Sequence, residues 1–86
     1  MKFEYDPNKS RQNQLKHGLS FEEAQVLWQG FNRIEISAKS VDEPRFMIIS
    51  KFQEKHWSAI ITYRDQTIRI ISVRRSKESE VKLYEG

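Results

Sequence analysis

Arg64, Arg69, Arg74 and Arg75 lie close together in the second half of an 86-residue chain. A guanidinium stays charged at any relevant pH and can grip two phosphate oxygens at once, so such a group suits a phosphodiester or the charge that develops as one is cleaved. Between Arg45 and Lys77, eight Lys/Arg stand against only Glu54 and Asp65, interleaved with Phe46, Phe52, Trp57 and Tyr63. That mixture fits a phosphate backbone plus bases that stack. A second use of the same residues stays open, because long basic side chains also solubilise strand surfaces and edges. His17 is a candidate for proton transfer, since imidazole titrates nearest neutral pH. It also precedes Gly18 at a helix end, where histidine commonly satisfies the last carbonyls and the helix dipole. Glu80 could be a base or an ion-pair partner that orients an arginine, and nearby cations, which depress its basicity, favour the second role. The two histidines are far apart and no carboxylates cluster with them, so neither a metal site nor a cofactor is expected.

At 10.3 kDa the chain is expected to form one domain over residues 1–86. With 37% hydrophobic and 12% aromatic residues it can build a modest core, and it is too rich in aromatics and isoleucine for a disordered segment. The net charge of +3 hides an asymmetry: six Lys/Arg against seven Asp/Glu up to Glu43, then nine against five from Pro44 onward. No apolar run approaches the ~20 residues that span a bilayer, and Met1-Lys2-Phe3-Glu4 does not start a signal peptide, so neither export nor membrane insertion is expected. Without cysteine there is no disulfide, thiolate metal site or thiol nucleophile. A cytoplasmic location fits, and so small a domain must rely on packing or on a partner.

The elements that must position these residues are legible in outline. Lys2 to Tyr5 reads as extended. Asp6-Pro7 supplies an N-cap acceptor and a first-turn proline for a helix running to His17, with Gly18 as its left-handed stop. That helix is polar almost all round and needs tertiary support or a partner. Ser20 and Glu23 form a capping-box pair ahead of a second helix whose Phe21, Ala24, Leu27 and Trp28 make an apolar stripe ending at Gly30. Strands are predicted near 32–37, 44–52, 56–64 and 67–73, with turns at Ser40–Pro44, Gln53–Lys55 and Asp65-Gln66. Ser76 is the predicted N-cap of a last helix with Glu78 and Glu80 in its first turns and Val81 and Tyr84 inward. The class is α+β: a small antiparallel sheet with two N-terminal helices and one C-terminal helix.

Period-two geometry assigns the faces. A two-residue turn at Asp65-Gln66 sets Arg64 opposite Thr67 and Thr62 opposite Arg69, on one face with Ser58. Trp57, Ala59, Ile61, Tyr63, Ile68 and Ile70 form the other, helix-packed face. By parity Ser72 and Arg74 join the helix-packed face, while Arg75 returns to the face of Arg64 and Arg69.

Lys16-His17-Gly18-Leu19-Ser20-Phe21-Glu22-Glu23-Ala24, the stretch Ile68-Arg69-Ile70-Ile71-Ser72-Val73-Arg74-Arg75, and the ending Glu80 to Tyr84-Glu85 together resemble the BrnT family. Phe3-Glu4-Tyr5-Asp6, with Asn13 ahead of Lys-His-Gly, also looks like the start of that family. Where the family usually has glycines, this chain reads Ser50, Gln53 and Glu54, followed by His56-Trp57. The resemblance implies a toxin of a type II toxin–antitoxin system, with a RelE-like fold and ribonuclease activity that arrests translation. It further implies neutralisation by a BrnA-type antitoxin from an adjacent gene, and a toxin–antitoxin complex that binds its own operator DNA. Such a complex is a hetero-oligomer, with 2:2 as one stoichiometry to test.

Metal-independent RNA cleavage needs a base near the 2′-hydroxyl, a proton donor for the leaving oxygen and cations on the phosphorane. Arg64, Arg74, Arg75, His17 and Glu80 are the expected catalytic set, with Arg64 and Arg75 at the scissile phosphate. Arg69, Lys16, Arg45 and Lys77 are the expected RNA-binding residues. A reading of another class remains: a non-catalytic nucleic-acid-binding or antitoxin-binding module that acts in operator autoregulation.

Overall fold

The computed structural model describes all 86 residues. Its elements are β1 (Lys2–Glu4), α1 (Pro7–His17), a 3₁₀ helix (Glu23–Trp28), β2 (Ile34–Ala38), β3 (Arg45–Phe52), β4 (Lys55–Arg64), β5 (Thr67–Arg75) and α2 (Glu78–Glu85). The five strands form one sheet in the order β1-β5-β4-β3-β2. The class is α+β, but the sheet is mixed rather than antiparallel, because Lys2–Glu4 pairs with β5 in parallel. A three-residue edge segment shows no periodicity of its own, and its partner is remote in sequence. The pairing sets Phe3 edge-on to Trp28, ring centroids 5.1 Å apart, and so ties the chain start to the core.

Asp6 caps α1, its carboxylate accepting from the backbone N–H of Asn8 (2.8 Å) and Lys9 (3.4 Å), and Gly18 ends the helix at φ 88°. Hydrogen bonds supply the support that its polar faces require. Ser10 Oγ accepts from Phe21 N–H (2.8 Å), Asn13 Nδ2 donates to Leu19 C=O (2.7 Å), and Asn13 Oδ1 accepts from Val73 N–H (3.3 Å). Both side chains are buried, so a helix with little apolar surface is pinned by paired polar groups instead.

Ser20 and Glu23 make the reciprocal box (3.0 and 2.9 Å), and the helix it opens is 3₁₀ rather than the expected α-helix. Phe21, Ala24 and Leu27 recur every third residue, the period at which 3₁₀ side chains align. They pack with Leu19, Trp28, Ile48, Trp57, Ala59, Ile61, Ile68, Ile70 and Val73 into one buried cluster on the α1 side of the sheet. The predicted strand bounds hold to within two residues, with Lys55 opening β4 rather than ending the turn and β5 running on to Arg75. The β3–β4 turn is the residue pair Gln53-Glu54, both at positive φ (53° and 66°).

A bulge in β5 changes which way the last arginines face. Ile61 pairs with Ile70 but Ile60 pairs with Ser72, leaving Ile71 as the extra residue. Parity therefore inverts beyond Ile71. Val73 lies opposite Ala59 in the core, Arg74 lies opposite Ser58, and Arg75 lies opposite Trp57 on the α1 side. The expected faces of Arg74 and Arg75 are thus exchanged. An unbroken strand would turn Arg74 into the apolar core and Val73 out of it; the bulge buries both Ile70 and Val73 while sparing the cost of a buried guanidinium.

The last helix, α2, takes the opposite face of the sheet, over Ser58 and His56. Its N-cap is Lys77, not Ser76, whose hydroxyl is instead shared with Ser58 (2.7 Å). The backbone N–H of Lys77 is satisfied by Glu80 Oε1 at 2.9 Å. No helix is long and apolar enough to cross a membrane.

Candidate active site

The arginines fall into three separate settings. Arg64 and Arg69 stand at the turn end of β4 and β5 on the α2 side of the sheet, where both reach Glu4 (3.6 and 2.8 Å) and Arg64 also reaches Glu43 (3.4 Å). Arg45 shares with Arg64 a hollow of about 720 Å³ bounded by Lys39–Glu43.

Arg74 is committed to Glu80. Its two terminal nitrogens donate to the two carboxylate oxygens at 2.8 Å each, a bidentate fork that Ser58 Oγ and Lys77 N–H complete by donating to Oε1 at 2.8 and 2.9 Å. Glu80 is buried and accepts four hydrogen bonds, the pair with Arg74 foremost, which holds its carboxyl down at about 2 despite burial. Arg74 is raised in turn by the same hydrogen bonding. The geometry is that of a brace tying α2 to β5. Lys77, exposed, begins the helix that the brace anchors. At the far end of α2, His56 Nε2 meets Glu85 Oε2 at 2.8 Å and its ring lies edge-on to Tyr84. That contact holds the Glu85 carboxyl below its ordinary value.

Arg75 alone of the four has no carboxylate partner. Its guanidinium lies over the Trp57 ring, 5.7 Å from the centroid. Beside it opens a cleft of about 200 Å³ lined by His17, Gly18, Leu19, Phe52, Gln53, Lys55, Trp57 and Arg75. One wall is the end of α1, where half-buried His17 precedes the left-handed turn at Gly18, and the other is the β3–β4 hairpin. Lys16, exposed, directly precedes His17 in the last turn of α1.

The fold therefore brings His17 and Arg75 together and keeps Arg64 away from both. Trp57 and Arg64 are seven residues apart along β4, roughly 23 Å at the usual strand rise of ~3.3 Å. Arg64 also lies on the other face, so the expected meeting of Arg64 and Arg75 at one phosphate does not occur. Sequence reasoning missed Lys55, which it placed in a turn, and the cleft-lining role of Phe52 and Trp57. The mark that could have found them is the cation beside an aromatic at Lys55 and Trp57, directly after a two-residue turn. Chemically, the cleft offers two cations, an imidazole and two aromatic rings, with no carboxylate among its lining residues. That donor set suits an anion and repels a divalent cation.

The family model for the ribonuclease toxin BrnT of type II toxin–antitoxin systems matches residues 5–80. The chain belongs to this family. No curated protein matches it. As a BrnT toxin it is a member of a ribonuclease family whose systems pair each toxin with a protein antitoxin. The matched segment spans His17, the whole sheet from β2 to β5, and the Arg74–Glu80 brace.

Proposed function

We propose that this BrnT toxin is a metal-independent endoribonuclease that arrests translation, and that the cleft of His17 and Arg75 is where RNA is cut. The single observation that carries the reading is that Arg75, the one uncommitted arginine of the cluster, stands in a cleft with His17. In this mechanism His17 takes the proton of the ribose 2′-hydroxyl as its oxygen attacks the adjacent phosphorus. The 5′-oxygen leaves, taking up a proton from solvent, and a 2′,3′-cyclic phosphate forms. Arg75 and Lys55 face the negative charge that builds on the phosphorane oxygens. Glu80 and Arg74 serve by holding β5 and α2 in place. Arg69 and Arg45, with Arg64, hold RNA away from the scissile bond, and Lys16 extends the basic surface beside the cleft. The sheet packed on one face by the N-terminal helical elements supports a RelE-like architecture.

The partner is a BrnA-type antitoxin from the adjacent gene, in a hetero-oligomer that binds operator DNA, and the site of action is the cytoplasm. Support for a protein partner comes from membership of a type II toxin–antitoxin family.

The test is cleavage of RNA by the purified chain in EDTA, with the product ends identified, beside growth arrest on expression. Ends carrying 2′,3′-cyclic or 3′-phosphate are expected. Arg75→Ala is expected to lower the rate by on the order of 10²–10³, as for loss of one preorganised donor. Because Arg75 is exposed, its melt should stay within roughly 1 kcal/mol of the parent. Lysine should restore little, since a point charge cannot reproduce the fork. A folded, fully active Arg75→Ala excludes the cleft as the active site. RNA binding without cleavage by folded protein overturns the enzymatic reading itself.

A further inference from the structure

One buried side-chain polar atom in the whole molecule lacks a hydrogen-bond partner, and it belongs to a residue that lines the cleft: the indole N–H of Trp57. Trp57 is almost fully buried, 6% exposed, and buried indole N–H groups usually find an acceptor. An unpaired buried donor is costly, so a position that keeps one is suited to an acceptor that arrives with a ligand. Apart from the neutral amide of Gln53, the other polar side chains of the cleft are two cations and an imidazole, which makes an anion the natural source of that acceptor. The indole N–H is closed off from solvent, so a ligand reaches it only when neighbouring side chains shift; Gln53, Lys55 and Arg75, which line the same cleft, are all exposed.

We propose that Trp57 is the third donor of a phosphate subsite, alongside Lys55 and Arg75, and that this subsite takes the phosphate of an RNA 3′ end. The inference rests on the cleft being the RNA site, and it names a group that holds the phosphate there by a neutral hydrogen bond. Arg75 contributes twice: its charge attracts the phosphate, and its seat over the indole keeps the ring oriented. Phe52, paired with Lys55 on the same hairpin wall, offers a face on which the attached base can stack, which separates a nucleotide from free phosphate.

The chain has two tryptophans, Trp28 and Trp57, so a ¹H–¹⁵N correlation spectrum of the full-length protein shows two indole signals, which Trp57→Phe assigns. Inorganic phosphate, a nucleoside 3′-monophosphate and the same nucleoside without phosphate are titrated in turn. The expected result is a saturable downfield shift of the Trp57 indole proton with both phosphates and none with the nucleoside, half-complete at lower concentration for the 3′-monophosphate. Trp57→Phe is expected to weaken 3′-monophosphate binding roughly tenfold or more, the loss of one hydrogen bond to a charged group. The wild-type shift stands as the readout even if that variant unfolds. If the backbone signals of His17 and Lys55 move while the indole does not, Trp57 is no donor and the inference fails with the proposed active site intact. Equal affinity for both phosphates makes the cleft a free-anion site and also overturns the inference. Shifts confined to the Arg64 and Arg69 end overturn the inference and the placing of the active site together.

Discussion

Replacing Glu80 with glutamine tests whether the Arg74–Glu80 pair is the brace that its geometry describes. The side chain keeps its shape, but an amide can place only one oxygen against a fork that now meets two, and its NH₂ confronts a guanidinium donor. A carboxyl held at about 2 instead of its ordinary 4.5 releases its proton more readily in the folded state, a difference of about 3 kcal/mol in stability at neutral pH. The cost of breaking one partner out of a buried ion pair, about 3–5 kcal/mol, has the same magnitude. For a chain of this length that corresponds to a fall in Tm of roughly 12–24 °C. Because the folded value lies below the unfolded one, the stabilisation is complete above about 4.5 and drains away as pH falls from there toward about 2. Urea unfolding of both proteins at pH 7, 5 and 3 measures it. The gap between wild type and Glu80→Gln should be full at pH 7 and 5 and under half at pH 3. A gap below about 0.5 kcal/mol at pH 7, or one that does not shrink on acidification, refutes the brace. Arg74→Ala combined with Glu80→Gln should cost less than the two single changes added together, because they share one contact.

Two further substitutions probe the positioning of His17. Asn13→Ala leaves the Leu19 carbonyl and the Val73 N–H without their partner in a buried setting and should destabilise by about 2 kcal/mol or more in urea unfolding; a loss under 0.5 kcal/mol would show that α1 is not pinned by this side chain. Gly18→Ala should cost about 1 kcal/mol for its positive φ alone, since nothing lies within 4 Å of an added Cβ, and an unchanged melt would argue that the left-handed turn is not required.

The sequence by itself determined the ends of α1, the capping box, the four main strands to within two residues, and the apolar face that takes the N-terminal helices, because each rests on local chemistry: a cap, a turn pair, an alternating run. Family membership was legible for the same reason, as ordered short motifs over nearly the whole chain. The residues of the cleft were legible only singly. His17 stood out as a helix-end histidine and Arg75 as one of four alike, with nothing local to separate an arginine paired with Glu80 from one left unpaired.

Tertiary structure decided the rest through two long-range choices. Pairing of Lys2–Glu4 with β5 made the sheet mixed and spent Arg64 and Arg69 on Glu4. The bulge at Ile71, which sets Val73 into the core opposite Ala59, inverted the faces of Arg74 and Arg75. One residue of slip in a strand reverses every side chain beyond it, and no local preference of Ile70-Ile71-Ser72-Val73 announces the slip. It sent Arg74 to Glu80 and Arg75 to the cleft with His17, because the folded core gains more from one more buried valine than the ladder loses at one unpaired residue.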